Sequence, residues 1–105
     1  MTDRELLKLA AKAAGVGWDE YESEWYGDGV RKDWNPLTND GDAFRLAVTL
    51  RIEIMWPRPG DHVCAGNVRE VGAGSCEDDL SDPYAATRRA ITRAAAAIYD
   101  SQQGA

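Results

Sequence analysis

The residues with the clearest chemical use in this 105-residue chain are aromatic side chains concentrated between positions 16 and 37. Trp18, Trp25 and Trp34 lie there in a glycine-punctuated segment that sustains neither the period of a strand nor that of a helix. Tryptophan offers a flat apolar ring and one N–H donor, which suits stacking on a nucleobase or anchoring a protein interface. The alternative is that these rings cover a core whose helices are rich in alanine. Because long irregular segments in compact domains are often functional, we expect at least one ring to line a binding site.

Nine of the 12 basic residues are arginines, although the chain is acidic. The planar guanidinium suits phosphate, carboxylate and aromatic faces. If the second and third predicted helices lie side by side, the arginines at 45, 88, 89 and 93 would form an anion-binding patch; the alternative is that they are solvated and paired with the abundant acids. The candidate ligand-binding residues are Trp18, Trp25, Trp34, Asn35, Arg45, Trp56, Arg88 and Arg89.

Signals for catalysis or metal binding are weaker. His62 and Cys64 would share one face of a strand, and Cys76 would add a third ligand, but the spacing typical of zinc sites is absent. A nucleophile and base also need an orienting third group, which the sequence does not identify. The acids at 39–42 and 77–82 fit helix caps and acidic lead-ins to helices. We therefore predict a non-enzymatic protein without catalytic residues, metal or cofactor.

Helical segments at the start and middle of the chain position these residues. Thr2 and Glu5 have capping-box spacing, and Gly15 is placed to end the first helix. A second helix is predicted from about Asn39 to Leu50. Its predicted buried stripe contains Ala43, Leu46, Ala47 and Leu50, widened by Phe44 and Val48. Its predicted opposite face contains Asp42, Arg45 and Thr49.

The pattern then changes to the period of a strand. Ile52, Ile54 and Trp56 alternate with polar or flexible neighbours, which predicts a half-buried strand. Residues 57–61 turn the chain, and 62–71 return as an antiparallel strand with a bulge at Gly66. Residues 72–80 read as a connection without regular structure.

A third helix closes the sequence. Pro83 suits its first turn, and the helix is expected to end near residue 100, leaving 101–105 frayed. The chain is expected to form a single domain over 1–105. The elements predict an α+β fold, in which a small antiparallel sheet of two to four strands is flanked by three helices in the order α-(β)-α-β-β-α.

Composition restricts the classes of function. The net charge of −6 disfavours direct binding to DNA, and the sequence contains neither a membrane-length apolar run nor the apolar region of a signal peptide. Two cysteines are too few for a disulfide scaffold, which favours a reducing cytoplasm. The alanine-rich third helix would let two copies approach closely, so we expect a homo-oligomer.

Several segments resemble one known group of proteins. The runs 34–37 and 40–48 resemble a motif common in small uncharacterised proteins of tailed phages and prophages. Residues 3–15 and 86–95 occupy matching places, and the whole pattern is similar to the phage ABA sandwich domain, in which helices flank a small antiparallel sheet. The resemblance covers most of the chain, with 16–33 matched least, and it brings no catalytic residues. It implies a phage or prophage origin and action in the cytoplasm of an infected bacterium.

These observations favour a binding protein that counteracts host antiviral defence. In its sharper form, the protein sequesters a nucleotide-derived immune signal: aromatic rings from 18–34 stack on the base, and Arg45 with the arginines of the third helix meets the phosphate. The alternative is a protein–protein inhibitor or adaptor, with exposed tryptophans as anchors and an acidic surface that attracts a host defence protein. A metal-dependent hydrolase of small nucleotides is a third and weaker hypothesis.

Overall fold

The computed structural model describes residues 1–58, 61–67, 74–78 and 81–103. Its elements in chain order are α1 (Asp3–Ala14), β1 (Gly17–Asp19), β2 (Glu24–Tyr26), α2 (Asp40–Leu50), β3 (Glu53–Arg58), β4 (His62–Gly66), β5 (Gly74–Asp78) and α3 (Pro83–Gln103). The strands β1 and β2 form an antiparallel hairpin, and β3, β4 and β5 form an antiparallel sheet in that order. The predicted α+β class with three helices is therefore confirmed.

The first two helices begin at the predicted caps. The Thr2 hydroxyl accepts a hydrogen bond from the Glu5 N–H at 3.1 Å, and Gly15 ends α1 with a φ of 76°. The Asn39 side chain accepts from the Asp42 N–H at 2.8 Å at the start of α2. Polar caps at these positions satisfy N–H groups that the first turn of a helix leaves free, so local sequence determines where both helices begin.

The surface of α2 differs from the prediction. Ala43, Leu46 and Ala47 face the core as expected, but Phe44 is 70% exposed and Val48 is 47% exposed. Asp42, predicted on the polar face, is 4% exposed. The face of α2 that packs on the rest of the protein is therefore narrower than the stripe of apolar residues in its sequence. The buried carboxylate of Asp42, which is hydrogen-bonded within the protein, lies at the edge of that face.

The helix α3 is central to the packing. It contacts α1, α2, β4 and β5, and it buries residues on several sides, which are Ala86, Ala90, Ile91, Thr92, Ala94, Ala95, Ala96 and Ile98. Alanine lets neighbouring backbones approach closely, so the alanines predicted to join two copies are used inside the fold. The helix continues to Gln103, beyond its predicted end; residues 104–105 lie outside the described residues.

The three-stranded sheet packs on α3 through small side chains. Val63 and Ala65 on β4 are buried, and they alternate with residues that face away from the helix. The strand β5 occupies part of the 72–80 segment that was predicted as a connection, and Gly66, predicted to be a bulge, pairs in regular register with Gly74. The residues of β5 include no large apolar side chain, so there was no alternation of apolar and polar residues from which a strand could be predicted.

The irregularity in the sheet lies on β3. Its register against β4 shifts between Met55 and Arg58. Ile54, before the shift, is half-buried, whereas Trp56, within it, is 48% exposed. The alternation of Ile52, Ile54 and Trp56 therefore does not continue through the shift, because an extra residue on one strand changes the face to which the next side chain points.

A disulfide joins β4 to β5. Cys64 and Cys76 are direct partners in the strand register, with a Cα–Cα distance of 4.0 Å, and their sulfur atoms are bonded. His62 and Cys64 lie on the same face of β4, as predicted, but the disulfide removes both thiols from any role as zinc ligand or nucleophile. Disulfides persist in oxidising environments, so this bond does not itself support the reducing compartment that the cysteine count favoured, and the compartment stays a prediction.

We predict that replacing both cysteines by serine lowers the free energy of unfolding by about 3 kcal/mol, because the unfolded chain is then no longer closed into a short loop. Urea denaturation in oxidising buffer measures this difference. Adding a reductant should bring the wild-type protein to the level of the double variant and leave the variant unchanged. An unfolding free energy of the wild type that does not respond to reductant would show that the bond is not formed in solution.

Candidate functional site

A buried carboxylate holds the irregular segment against α2. The Asp42 Oδ2 atom accepts hydrogen bonds from the Asn35 N–H at 2.9 Å and from Arg31 Nη2 at 2.8 Å. The hydrogen bond to Asp42, supported by attraction to the Asp42 and Asp33 carboxylates, raises the pKa of Arg31. The contacts tie both ends of the 31–35 stretch to the first turn of α2, and this stretch carries the buried tryptophan of the segment.

Three tryptophans form a row from the core to the surface. Trp18 and Trp25 are direct partners across the β1–β2 hairpin, with ring centroids 4.8 Å apart, and Trp25 lies 5.1 Å from Trp34. Both pairs are edge-to-face, an arrangement favoured by the charge distribution of aromatic rings. Trp34 is 5% exposed, whereas Trp18 and Trp25 are half-buried. The inner ring, Trp34, therefore supports Trp25, which in turn contacts Trp18.

The outer end of this row lines a groove against α1. We call it the indole groove; its lining residues are Arg4, Leu7, Lys8, Trp18 and Trp25, and its cavity volume is about 170 Å³. The guanidinium carbon of Arg4 lies 5.5 Å from the Trp18 ring centroid, within the range of a cation–π interaction. Arg4 and Lys8 are exposed, and neither forms an ion pair among the described residues.

The inner edge of Trp18 carries a donor that the fold leaves unsatisfied. The Trp18 Nε1 atom is buried, and it has no hydrogen-bond partner in the described part of the chain. A buried polar group without a partner costs free energy relative to one that is hydrogen-bonded. The indole groove therefore combines apolar ring surface with two positive charges that have no ion-pair partner among the described residues.

The sequence predicted two of the five lining residues. Trp18 and Trp25 were candidates, and the structure brings them together. Arg4 and Lys8 were missed, although their spacing of four residues on a predicted helix places them on one face, with Leu7 beside them. That spacing could have predicted a positively charged face on α1. It could not have predicted that the β1–β2 hairpin packs beside this face, because that depends on tertiary structure.

Two other candidates have structural roles. Trp34 is 5% exposed and belongs to the core, because Asp42 holds the flanking backbone inward, so its ring is not open as expected. It nevertheless lines the cavity that Arg45 also lines, so the structure brings these two candidates together. The Asn35 side chain accepts a hydrogen bond from the Leu37 N–H at 2.9 Å and thus closes the turn before α2. Its oxygen is therefore already engaged within the protein.

The predicted arginine patch does not form. Arg88 donates to Asp40 Oδ1 at 2.7 Å and to the Leu37 carbonyl at 2.9 Å, which joins α3 to the start of α2. Arg89 donates to Asp3 Oδ1 at 2.7 Å and so joins α3 to α1. Both arginines therefore pair with acids of the same chain, which was the alternative to an anion-binding patch.

Arg45 lies apart from both of these pairs. Its guanidinium lies beside Gly29 in a cavity of about 230 Å³, on the side of α2 that faces the irregular segment. Arg93, the remaining member of the predicted patch, pairs with Glu77 of β5 at 2.9 Å. The four arginines therefore point to four different parts of the fold.

Trp56 lies in a second aromatic surface. A cavity of about 350 Å³ is lined by Trp56, by Phe44 of α2 and by Tyr84 and Arg88 of α3, with Asp40 at its edge. All three rings are exposed. Phe44 and Tyr84 were missed as candidates because each fits the apolar pattern of its own helix.

Other classes of site have less support. Among residues 1–58, 61–67, 74–78 and 81–103, no group of three His, Cys, Asp or Glu side chains is placed to hold a metal ion. None of the helices in those ranges has the length and apolarity needed to cross a membrane.

We predict that Asp42→Ala lowers the free energy of unfolding by about 3 kcal/mol, because it leaves the Asn35 N–H and the Arg31 guanidinium without their acceptor. Asp33→Ala is the matched control: Asp33 contacts the same arginine but is solvated, so its loss should cost less than about 1 kcal/mol. Chemical denaturation measures both. Equal effects of the two substitutions would contradict the role assigned to Asp42.

We also predict that Trp34→Ala lowers the free energy of unfolding by about 3 to 5 kcal/mol, as expected for removal of a buried ring. The exposed aromatic Tyr21, replaced by alanine, should change it by less than about 0.5 kcal/mol. Thermal and urea unfolding report both values. A Trp34 variant as stable as wild type would mean that the ring is accessible in solution.

No protein-family model, curated protein or solved structure matches this chain.

Proposed function

We propose that this protein is a non-enzymatic binding protein that takes a nucleotide-like ligand, a flat aromatic base carrying phosphate, in the indole groove. The observation that supports the proposal is the juxtaposition of two half-buried indoles with two cations that have no ion-pair partner among the described residues. Ring surface recognises the base, and positive charge recognises the phosphate.

The size of the groove restricts how such a ligand binds. Its volume of about 170 Å³ is below the roughly 300 Å³ at the lower end of small-molecule pockets. The groove therefore accommodates one base, while sugar and phosphate extend over α1. Stacking on an aromatic side chain contributes about 1 to 3 kcal/mol per base and tolerates different bases.

Local charge favours an anion at this position despite the net charge of −6. Arg4 and Lys8 lie four residues apart on α1, so both reach the same side of the groove. Asp3, the acid that precedes Arg4, is already paired with Arg89. Because the two cations are exposed, we expect binding to weaken as salt concentration rises.

The proposed biological role follows from the sequence resemblance. A phage or prophage protein that holds a nucleotide-derived immune signal lowers its free concentration by stoichiometric binding and requires no catalytic group. The role places the protein in the cytoplasm of an infected bacterium. The fold must then tolerate reduction of the Cys64–Cys76 bond, which the reductant experiment above measures.

We predict that isothermal titration calorimetry with a panel of cyclic oligonucleotides and cyclic ADP-ribose isomers detects binding by the wild-type protein. Trp18→Ala should weaken the affinity for the bound member at least about tenfold, through loss of stacking. Arg4→Glu should weaken it by a similar factor, and the weakening should be smaller at high salt.

Tyr21→Ala is the control, since it removes an exposed ring outside the groove. Circular dichroism confirms that each variant is folded. Absence of binding across the panel would contradict the proposal, and so would binding that Trp18→Ala leaves unchanged.

The cavity beside Trp56 favours a second candidate function, the protein–protein inhibitor or adaptor. Its volume of about 350 Å³ and its exposed rings are suited to a side chain of a partner protein. Its charge also differs from that of the indole groove, because Asp40 neutralises Arg88. This surface therefore fits an apolar protein anchor better than a phosphate.

A further inference from the structure

The outer face of α2 carries apolar residues that the fold leaves uncovered. Phe44 and Val48 lie four residues apart, on one side of the helix, and both are exposed. Phe44 also separates two cavities, one toward the irregular segment and one toward Trp56 and Tyr84. Adjacent exposed apolar side chains next to surface cavities are typical of an interaction surface.

Charges of opposite sign bracket this apolar pair. Asp40 is at the N-terminal end of α2, with a side chain that is 76% exposed, and Arg88 contacts its Oδ1 atom. Arg51 follows the C-terminal end; it is exposed and forms no ion pair within the described ranges. One side of α2 thus presents, in order, an acid, two apolar residues and a cation.

This order is self-complementary when two helices run in opposite directions. Asp40 precedes Phe44 by four residues, and Arg51 follows Val48 by three. If Phe44 of one copy packs on Val48 of another, Asp40 lies opposite Arg51 at both ends of the contact. The antiparallel arrangement also places each helix N-terminus beside the C-terminus of the other, which the helix dipoles favour.

We propose that the protein forms a twofold-symmetric homodimer through antiparallel packing of α2 on α2 of a second copy. A twofold interface uses the same patch on both copies, and the acid–apolar–cation order of α2 meets that requirement. The Arg45 guanidinium lies against Gly29 and so remains beside the apolar contact instead of crossing it. This surface replaces the alanine face of α3, which is buried within each copy.

Sedimentation velocity of the full chain over a range of micromolar concentrations tests the proposal. We expect a monomer–dimer equilibrium that Phe44→Asp shifts to monomer, because it places a charge in the apolar contact. Tyr21→Asp, an equally exposed aromatic on another surface, should leave the equilibrium unchanged. Thermal unfolding confirms that both variants are folded.

A charge reversal at Arg51 tests the antiparallel orientation. Arg51→Glu should weaken the dimer about tenfold, since it sets two carboxylates opposite each other at both ends of the contact. In a parallel arrangement Arg51 would face Arg51 of the other copy, so the same substitution would not weaken the dimer. A wild-type protein that remains monomeric, or a dimer unaffected by either Phe44→Asp or Arg51→Glu, would overturn the proposal.

The dimer is independent of the proposed nucleotide site. The indole groove lies on α1 and the β1–β2 hairpin and shares no lining residue with the α2 face. The monomeric Phe44→Asp variant should therefore bind the same member of the nucleotide panel as wild type. Failure of either proposal can thus be recognised without reference to the other.

Discussion

The buried carboxylate of Asp42 is the interaction on which the rest of this structure depends. Its oxygen atoms accept hydrogen bonds from the Asn35 N–H and from Arg31, and they fix a long irregular segment to the first turn of α2. Because that segment is held there, Trp34 enters the core and supports Trp25 from within. Burying a carboxylate without hydrogen-bond partners is costly, so arrangements of this segment that leave Asp42 without them are disfavoured.

The core that surrounds this anchor is built from small side chains. Alanines of α3 let α1 and the β3–β5 sheet lie close to the helix, which leaves little room for large residues between them. Apart from Trp34, the large aromatic rings of the described residues lie toward the edges of the fold, where they are half-buried or exposed. The alanine-rich core and the aromatic surface are therefore two consequences of the same packing. The rings at the surface line both the indole groove and the cavity beside Trp56.

The candidate site illustrates what can be inferred from residue types. The expectation of indole rings beside positive charge holds for Trp18, Trp25 and Arg4, but the predicted arginines of α3 pair with acids of the chain. Composition shows that arginine and tryptophan are available. It does not show which guanidinium has a carboxylate within reach, because that depends on how distant elements pack.

The sequence by itself determined the helices, their caps and the α+β class, because capping groups and hydrophobic periodicity act over a few neighbouring residues. It also predicted β3 and the returning strand β4. Tertiary structure decided the extra strands β1 and β5, the disulfide, the burial of Trp34 and Asp42, and the exposure of Phe44. These features arise from contacts between residues far apart in the chain, and the free energy of a side chain at such a contact depends on what the fold places opposite it.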